Sequence, residues 1–124
     1  MPLRVAIVDD EPVVCKRLSQ ALAKEGYAVE AFVSARSFLE AMIEQPFDVV
    51  VADMRMPVMD GLQATMKIRS YAREDAQILP IIALTANALD EEEHICLEAG
   101  MNARLTKPIN PQKLYQTLVQ YVTE

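Results

Sequence analysis

Four times along this chain an apolar run stops at a polar group: 5–8 at Asp9 and Asp10, 49–52 at Asp53, 81–84 at Thr85, and 105–106 at Lys107. Short, nearly continuous apolar runs rich in Val and Ile suit strands buried on both faces, and such strands belong to parallel sheets. In an open parallel sheet the carboxyl ends of the strands emerge along one edge, where ligand sites form. The four polar ends are therefore expected to assemble one charged site.

Strand-like segments at 4–8, 28–32, 49–52, 81–84 and 103–106 alternate with helix-like segments at 12–25, 35–44, 61–72, 89–98 and 111–122, which makes five βα units. An α/β fold with helices on both faces of a parallel sheet follows. Pro12 and Pro111 suit first-turn positions, Ser34 and Asn110 suit N-caps, and Gly26 and Gly100 suit the residue just past a helix. Val14, Leu18, Ala21 and Leu22 form one apolar stripe, and Leu114, Leu118, Tyr121 and Val122 another, both read as core packing. The second strand alternates, with Ala28, Glu30 and Phe32 set against Val29 and Ala31, and reads as an edge strand. The polar stretch 70–77 reads as the end of the third helix plus a solvated loop.

At 124 residues the chain has room for one domain, 1–124, and one core. Its 12 Lys plus Arg against 18 Asp plus Glu disfavour attraction to nucleic acid or an anionic membrane, so partners are expected to be proteins or cations. No apolar stretch approaches the roughly 20 residues that cross a bilayer, and the first residues run straight into a strand; the expectation is a cytoplasmic domain. Cys15 and Cys96 lie far apart with no ligand spacing around them and read as buried, inert thiols.

Adjacent strand ends would bring Asp9, Asp10 and Asp53 within a few ångströms, where mutual repulsion calls for a cation. A hard divalent ion with oxygen ligands answers it, and Mg²⁺ suits one or two carboxylates plus a phosphate better than Zn²⁺ does. Lys107 adds an ammonium and Thr85 a hydroxyl. A nucleophilic carboxylate, a metal, an ammonium and a hydroxyl together are what phosphoryl transfer requires.

Asp9-Asp10, Asp53 followed by Met56-Pro57-Val58-Met59-Asp60-Gly61, Thr85-Ala86 and Lys107-Pro108 resemble the receiver domain of two-component response regulators over essentially the whole chain. The resemblance implies a flavodoxin-like sheet in the order 2-1-3-4-5. It implies Asp53 as phosphoacceptor, Asp10 and the backbone carbonyl of Arg55 as Mg²⁺ ligands, and Asp9 acting largely through a metal-bound water. It implies that Lys107 grips the phosphoryl group, that Thr85 hydrogen-bonds its oxygens, and that Lys107-Pro108 is a cis peptide. Asp60 is expected to cap the third helix. Residues 79–88 and 100–102 further resemble receivers attached to hybrid sensor histidine kinases.

The implied function is a phosphorelay switch that takes a phosphoryl group from a histidine kinase or phosphotransfer protein and changes binding to a downstream effector. It implies no enzyme activity beyond the domain's own aspartyl phosphorylation and dephosphorylation. Arg55 and Asn87 occupy positions that can face the hydrolytic water, and Arg104 stands where the family carries an aromatic residue that reports phosphorylation. The fourth βα unit's helix and the fifth strand are therefore expected to be remodelled less than in aromatic-bearing relatives. A receiver-like docking module that never cycles is the alternative, with Arg104 as its support. An aspartyl-phosphate phosphatase would want an acid where Arg55 sits, and a flavodoxin would want hydroxyls and amides where Asp9-Asp10-Glu11-Pro12 stands. His94, following a run of acids, reads as a solvated helix residue.

Overall fold

The computed structural model describes residues 2–54, 61–71, 73–86 and 90–121. Its strands β1 (Arg4–Val8), β2 (Ala28–Phe32), β3 (Val49–Asp53), β4 (Ile81–Thr85) and β5 (Ala103–Thr106) form one sheet, all pairs parallel, in the order β2-β1-β3-β4-β5. The helices are α1 (Pro12–Lys24), α2 (Ala35–Glu44), α3 (Gly61–Ser70), α4 (Glu74–Ile78), α5 (Asp90–Ala99) and α6 (Pro111–Tyr121). This is the flavodoxin-like arrangement that the family resemblance implied, with β2 at an edge.

Side chains of a strand alternate between its two faces, and here both faces are apolar. On one side Val5, Ile7, Val49, Val51, Ile82, Leu84 and Leu105 pack with Leu18 and Leu22 of α1 and Leu114 and Leu118 of α6. On the other, Ala6, Val8, Val50, Ala52, Ile81 and Ala83 pack with Phe38 and Met42 of α2, Leu62 and Ile68 of α3, and Cys96 of α5. In the three central strands the second face carries Ala6, Ala52 and Ala83 where the first carries Ile7, Val51 and Leu84. The smaller side chains leave room there for Phe32, Phe38 and Phe47, whose ring centroids lie 5.5–6.0 Å apart.

Helix ends carry the expected chemistry. Ser34 Oγ accepts from the Ser37 N–H at 3.2 Å, and Asn110 Oδ1 from the Gln112 N–H at 2.8 Å, each satisfying an N–H that has no partner within its helix. Gly26 and Gly100 have φ of 90° and 103°, the left-handed conformation that ends a helix and that a Cβ disfavours. Cys15 and Cys96 are both buried thiols. Burial, reinforced by the charge of Asp9, pushes the Cys15 thiol up from its ordinary value, so it stays protonated and inert.

The stretch 70–77 departs from its expected reading as a solvated loop. The third helix stops at Ser70, and Glu74–Ile78 form a further short helix whose Ala76 is fully buried. A single turn with one buried residue is too short to show an apolar period, so its polar composition reads as loop. Arg69 holds it in place: Nη1 donates to the carbonyls of Ala76 (3.0 Å) and Gln77 (3.2 Å), while Nε and Nη2 donate to Gly100 O at 3.1 and 2.8 Å. Nη2 also reaches Asn102 Oδ1 at 3.0 Å, and that oxygen accepts from the Ile81 N–H at 2.9 Å. One guanidinium therefore ties α3, α4 and the turn before β5 together. Among the described residues no helix is long and apolar enough to cross a membrane.

Candidate functional site

Register brings the polar strand ends together. Val8 pairs with Ala52, so Asp9 and Asp53, each one residue further on, emerge side by side; Thr85 ends β4 opposite Thr106 of β5. Asp9 stays locked to the sheet through its N–H, which donates to Phe32 O at 3.0 Å. Asp9 is fully buried, Asp53 7% exposed and Asp10 exposed, and the three offer carboxylate oxygens all within 4.8 Å of one another.

Among the described residues, the Lys107 ammonium faces this cluster. Lys107 Nζ lies 3.0 Å from Asp9 Oδ2, 3.5 Å from Asp53 Oδ2 and 3.5 Å from Glu11 Oε1. The chain is turned toward the site by the Lys107 N–H, which donates to Thr85 O at 2.7 Å, and the Lys107-Pro108 peptide is cis. Burial alone would lower the Lys107 pKa, but its contact with Asp9 and the charges of Asp53, Asp9 and Glu11 outweigh it, so the ammonium titrates above the ordinary lysine range.

The donor set fits a hard cation. Asp9 Oδ1 accepts from the Glu11 N–H at 2.9 Å, whereas Asp9 Oδ2 is buried and has no aligned hydrogen-bond donor among the described residues. The Lys107 ammonium meets it as an ion pair at 3.0 Å. Among the described residues, three converging carboxylates against one ammonium leave excess negative charge, and all the offered atoms are oxygen, as Mg²⁺ or Ca²⁺ prefers. Such a cluster can hold a metal ion and orient a nucleophilic carboxylate beside it.

Thr85 is 3% exposed at the end of β4, beside this cluster. Arg104, half-buried in β5, pairs in register with Ala83 and so belongs to the sheet face that α5 covers; it lines a 50 Å³ cavity with Cys96, Leu97 and Met101. Arg55, Asn87 and the expected cap Asp60 lie outside the described residues, as do Met56, Pro57 and Met59. His94 is exposed on α5.

One contributor went unrecognised in the sequence, and a second, Gly61, stands out there only as part of the motif after Asp53. Glu11, directly after the acidic pair, places a third carboxylate on Lys107; its adjacency to Asp9-Asp10 was the only available signal. Gly61, the first residue of α3, approaches the Asp53 main chain so closely that a Cβ would overlap the Asp53 carbonyl oxygen and come within 3.2 Å of the Met101 methyl. Nothing local marks that requirement, because it arises from tertiary contact.

Residues 5–119 match the family model described as the response regulator receiver domain. The sensor histidine kinase RcsC of Salmonella typhi is 35% identical over 119 residues, and GacS of Pseudomonas protegens is 39% identical, covering 96% and 95% of this chain. The chain spans only 12% and 13% of those relatives' lengths. Among solved structures, chemotaxis protein CheY4 of Vibrio cholerae superposes with a TM-score of 0.92 at 30% identity, covering 98% of this chain and all of that one. The receiver domain of sensor histidine kinase PA1611 from Pseudomonas aeruginosa, solved with a magnesium ion coordinated in its active site cleft, gives 0.87 at 36% identity, covering 98% of each.

Proposed function

Because this chain belongs to the response regulator receiver domain family, the phosphoacceptor switches of two-component signalling, we propose that Asp53 is its phosphoacceptor. The observation that carries the assignment is the Lys107 ammonium, which stands 3.5 Å from Asp53 Oδ2 within a cluster whose other members are the acids Asp9, Asp10 and Glu11. A carboxylate with a cation at its side and further acids behind it is built to receive a phosphoryl group.

In this reading a carboxylate oxygen of Asp53 attacks the phosphorus of a phosphohistidine or small acyl phosphate in line with the leaving group. The new P–O bond forms as the P–N or P–O bond to the donor breaks, and an acyl phosphate results. Lys107 moves from the carboxylates to the phosphoryl oxygens, and the Thr85 hydroxyl donates to one of them. Water later attacks the same phosphorus, the P–O bond to Asp53 breaks, and inorganic phosphate leaves with the Asp53 carboxylate restored. Asp10, Asp53 and the Arg55 carbonyl would hold Mg²⁺, with Asp9 holding it largely through water; when bound, the ion would neutralise charge developing on the phosphoryl oxygens. Arg55 and Asn87 are proposed to tune access of the hydrolytic water, and Arg104 and Pro108 to shape the response to phosphorylation.

The partners in this reading are a histidine kinase or phosphotransfer protein and a downstream effector, met in the cytoplasm. Similarity to RcsC and GacS supports a setting within or beside a sensor histidine kinase. The domain itself promotes only its own aspartyl phosphorylation and dephosphorylation. A docking module that never cycles is not favoured, since the acids and the ammonium of the phosphoryl site are all retained. Intact-mass measurement with Mg²⁺ and a small acyl phosphate decides the matter. One added phosphoryl group is expected, and none in Asp53→Asn; an unmodified wild type would sink the proposal.

A further inference from the structure

Beside the phosphoryl site, on the side of α1 and α6, lies a cavity of about 360 Å³. Its volume falls in the range of roughly 300–1,000 Å³ that small-molecule sites occupy. Val14 and Ala21 of α1, Leu114 of α6, and Pro108 and Ile109 between β5 and α6 give it apolar walls. Lys107 belongs to both places: it lines the cavity, and its ammonium stands 3.5 Å from Asp53 Oδ2. Ala86, directly after Thr85, lines the cavity too. An apolar chamber therefore adjoins the point where a donor's phosphoryl group would be gripped, and aspartyl phosphorylation in itself requires no such chamber.

The charged residues of the lining say what enters. Glu11, 3.5 Å from the Lys107 ammonium, stands at the same end and repels a donor that carries a second acid beside its phosphate. Arg17 lies six residues further along α1, roughly 9 Å at 1.5 Å per residue. A compact body held close to Lys107 therefore meets apolar side chains rather than that guanidinium.

We propose that this cavity holds the acyl body of a small-molecule phosphodonor, so that the chain is phosphorylated preferentially by acyl phosphates with an uncharged branched or cyclic acyl group. The proposal rests on Asp53 as phosphoacceptor and names the donor class of that site. An Asp53 oxygen forms the new P–O bond as the P–O bond to the acyl group's carboxylate breaks, and the departing carboxylate keeps the electron pair. Lys107 holds the phosphoryl oxygens while Val14, Pro108 and Ile109 hold the acyl body. Contacts remote from the reacting atoms thus position the phosphorus beside Asp53.

The test follows phosphorylation of the full chain by intact mass, with Mg²⁺, using cyclohexanecarbonyl phosphate and acetyl phosphate. The two departing carboxylates are almost equally basic, so the difference in rate reports how the acyl body is held. Cyclohexanecarbonyl phosphate is expected to react with a second-order rate constant at least about tenfold higher, as extra methylenes in an apolar pocket provide. In Val14→Phe, which fills the cavity, that ratio should fall toward one. A cyclohexyl phosphonate analogue, with carbon in place of the bridging oxygen so that no transfer occurs, should shift wild-type amides at 14–21 and 107–114. This second readout needs no variant to fold. Equal rate constants for the two donors, an unchanged ratio in folded Val14→Phe, or an absence of shifts at 14–21 would each overturn the proposal while Asp53 labelling by acetyl phosphate still stood. Labelling by neither donor would sink the phosphoacceptor assignment and the proposal with it.

Discussion

Lys107 shares one ammonium among Asp9, Asp53 and Glu11, and the consequence is a stability that depends on its charge. Its folded pKa is raised, so its contribution is complete below the unfolded lysine value of about 10.4 and is lost as pH climbs through the higher folded value. Urea unfolding of wild type and Lys107→Ala in metal-free buffer should show a gap of about 1–2 kcal/mol at neutral pH. This is below the cost of breaking a fully buried pair, because the Lys107 side chain is 20% exposed. The gap should close toward strongly alkaline pH, and a constant gap would argue against an electrostatic role. Gly61→Ala tests the opposite kind of residue, one that matters for what it lacks: the added methyl meets the Asp53 carbonyl and should cost about 1–3 kcal/mol in the same assay. The difference between these two residues explains what could be read in advance. Lys107 announced itself as a charge at the end of an apolar run, whereas Gly61 stood out only as part of a family motif, and its steric reason appears once α3 is packed against β3.

At the scale of elements, α4 owes its position to a neighbour more than to its own sequence. Its apolar contribution to the core is Ala76, and its carbonyls are held by Arg69 from α3. Arg69→Ala leaves the oxygens of Ala76 and Gly100 without that donor and should cost about 2–3 kcal/mol. Hydrogen exchange should quicken at 76–78 and 100–102 before it does in the central strands; uniform loss of protection would mean that Arg69 acts on global stability alone. The long elements were legible because their caps, glycines and apolar periods agree. Ser34, Asn110, Pro12, Pro111, Gly26 and Gly100 all sit where their chemistry placed them. The short helix was not, since five residues give no period and its partner lies across a turn.

For the whole molecule, the sheet divides the core into two layers with no residue in common, one under α1 and α6 and one under α2, α3 and α5. Ile7→Val in the first and Ile68→Val in the second should each cost about 0.5–1.5 kcal/mol. The double variant should equal their sum within roughly 0.5 kcal/mol by denaturant unfolding, and a larger departure would mean that the layers are coupled through the strands. The parallel sheet and the common edge of polar ends followed from hydrophobic pattern, whereas the strand order came from the family resemblance alone, since no pattern within a strand says which neighbour it takes.

That both layers are apolar bears on how the strands find their alignment during folding. In a sheet with one wet face, a slip of one residue exposes apolar groups and is rejected by water. Here the slip exchanges Ala6, Ala52 and Ala83 with Ile7, Val51 and Leu84, so the misaligned sheet stays dry and only its volumes are wrong. In one direction, however, the slip would draw the already buried Asp9 or Asp53 away from Lys107 and in among the apolar side chains, at a cost of several kcal/mol for a carboxylate stripped of its partners. The acids that serve the site are also stops on the strands that carry them: a chain that has lost these charges keeps its core composition but loses a means of rejecting one class of misfolded sheet.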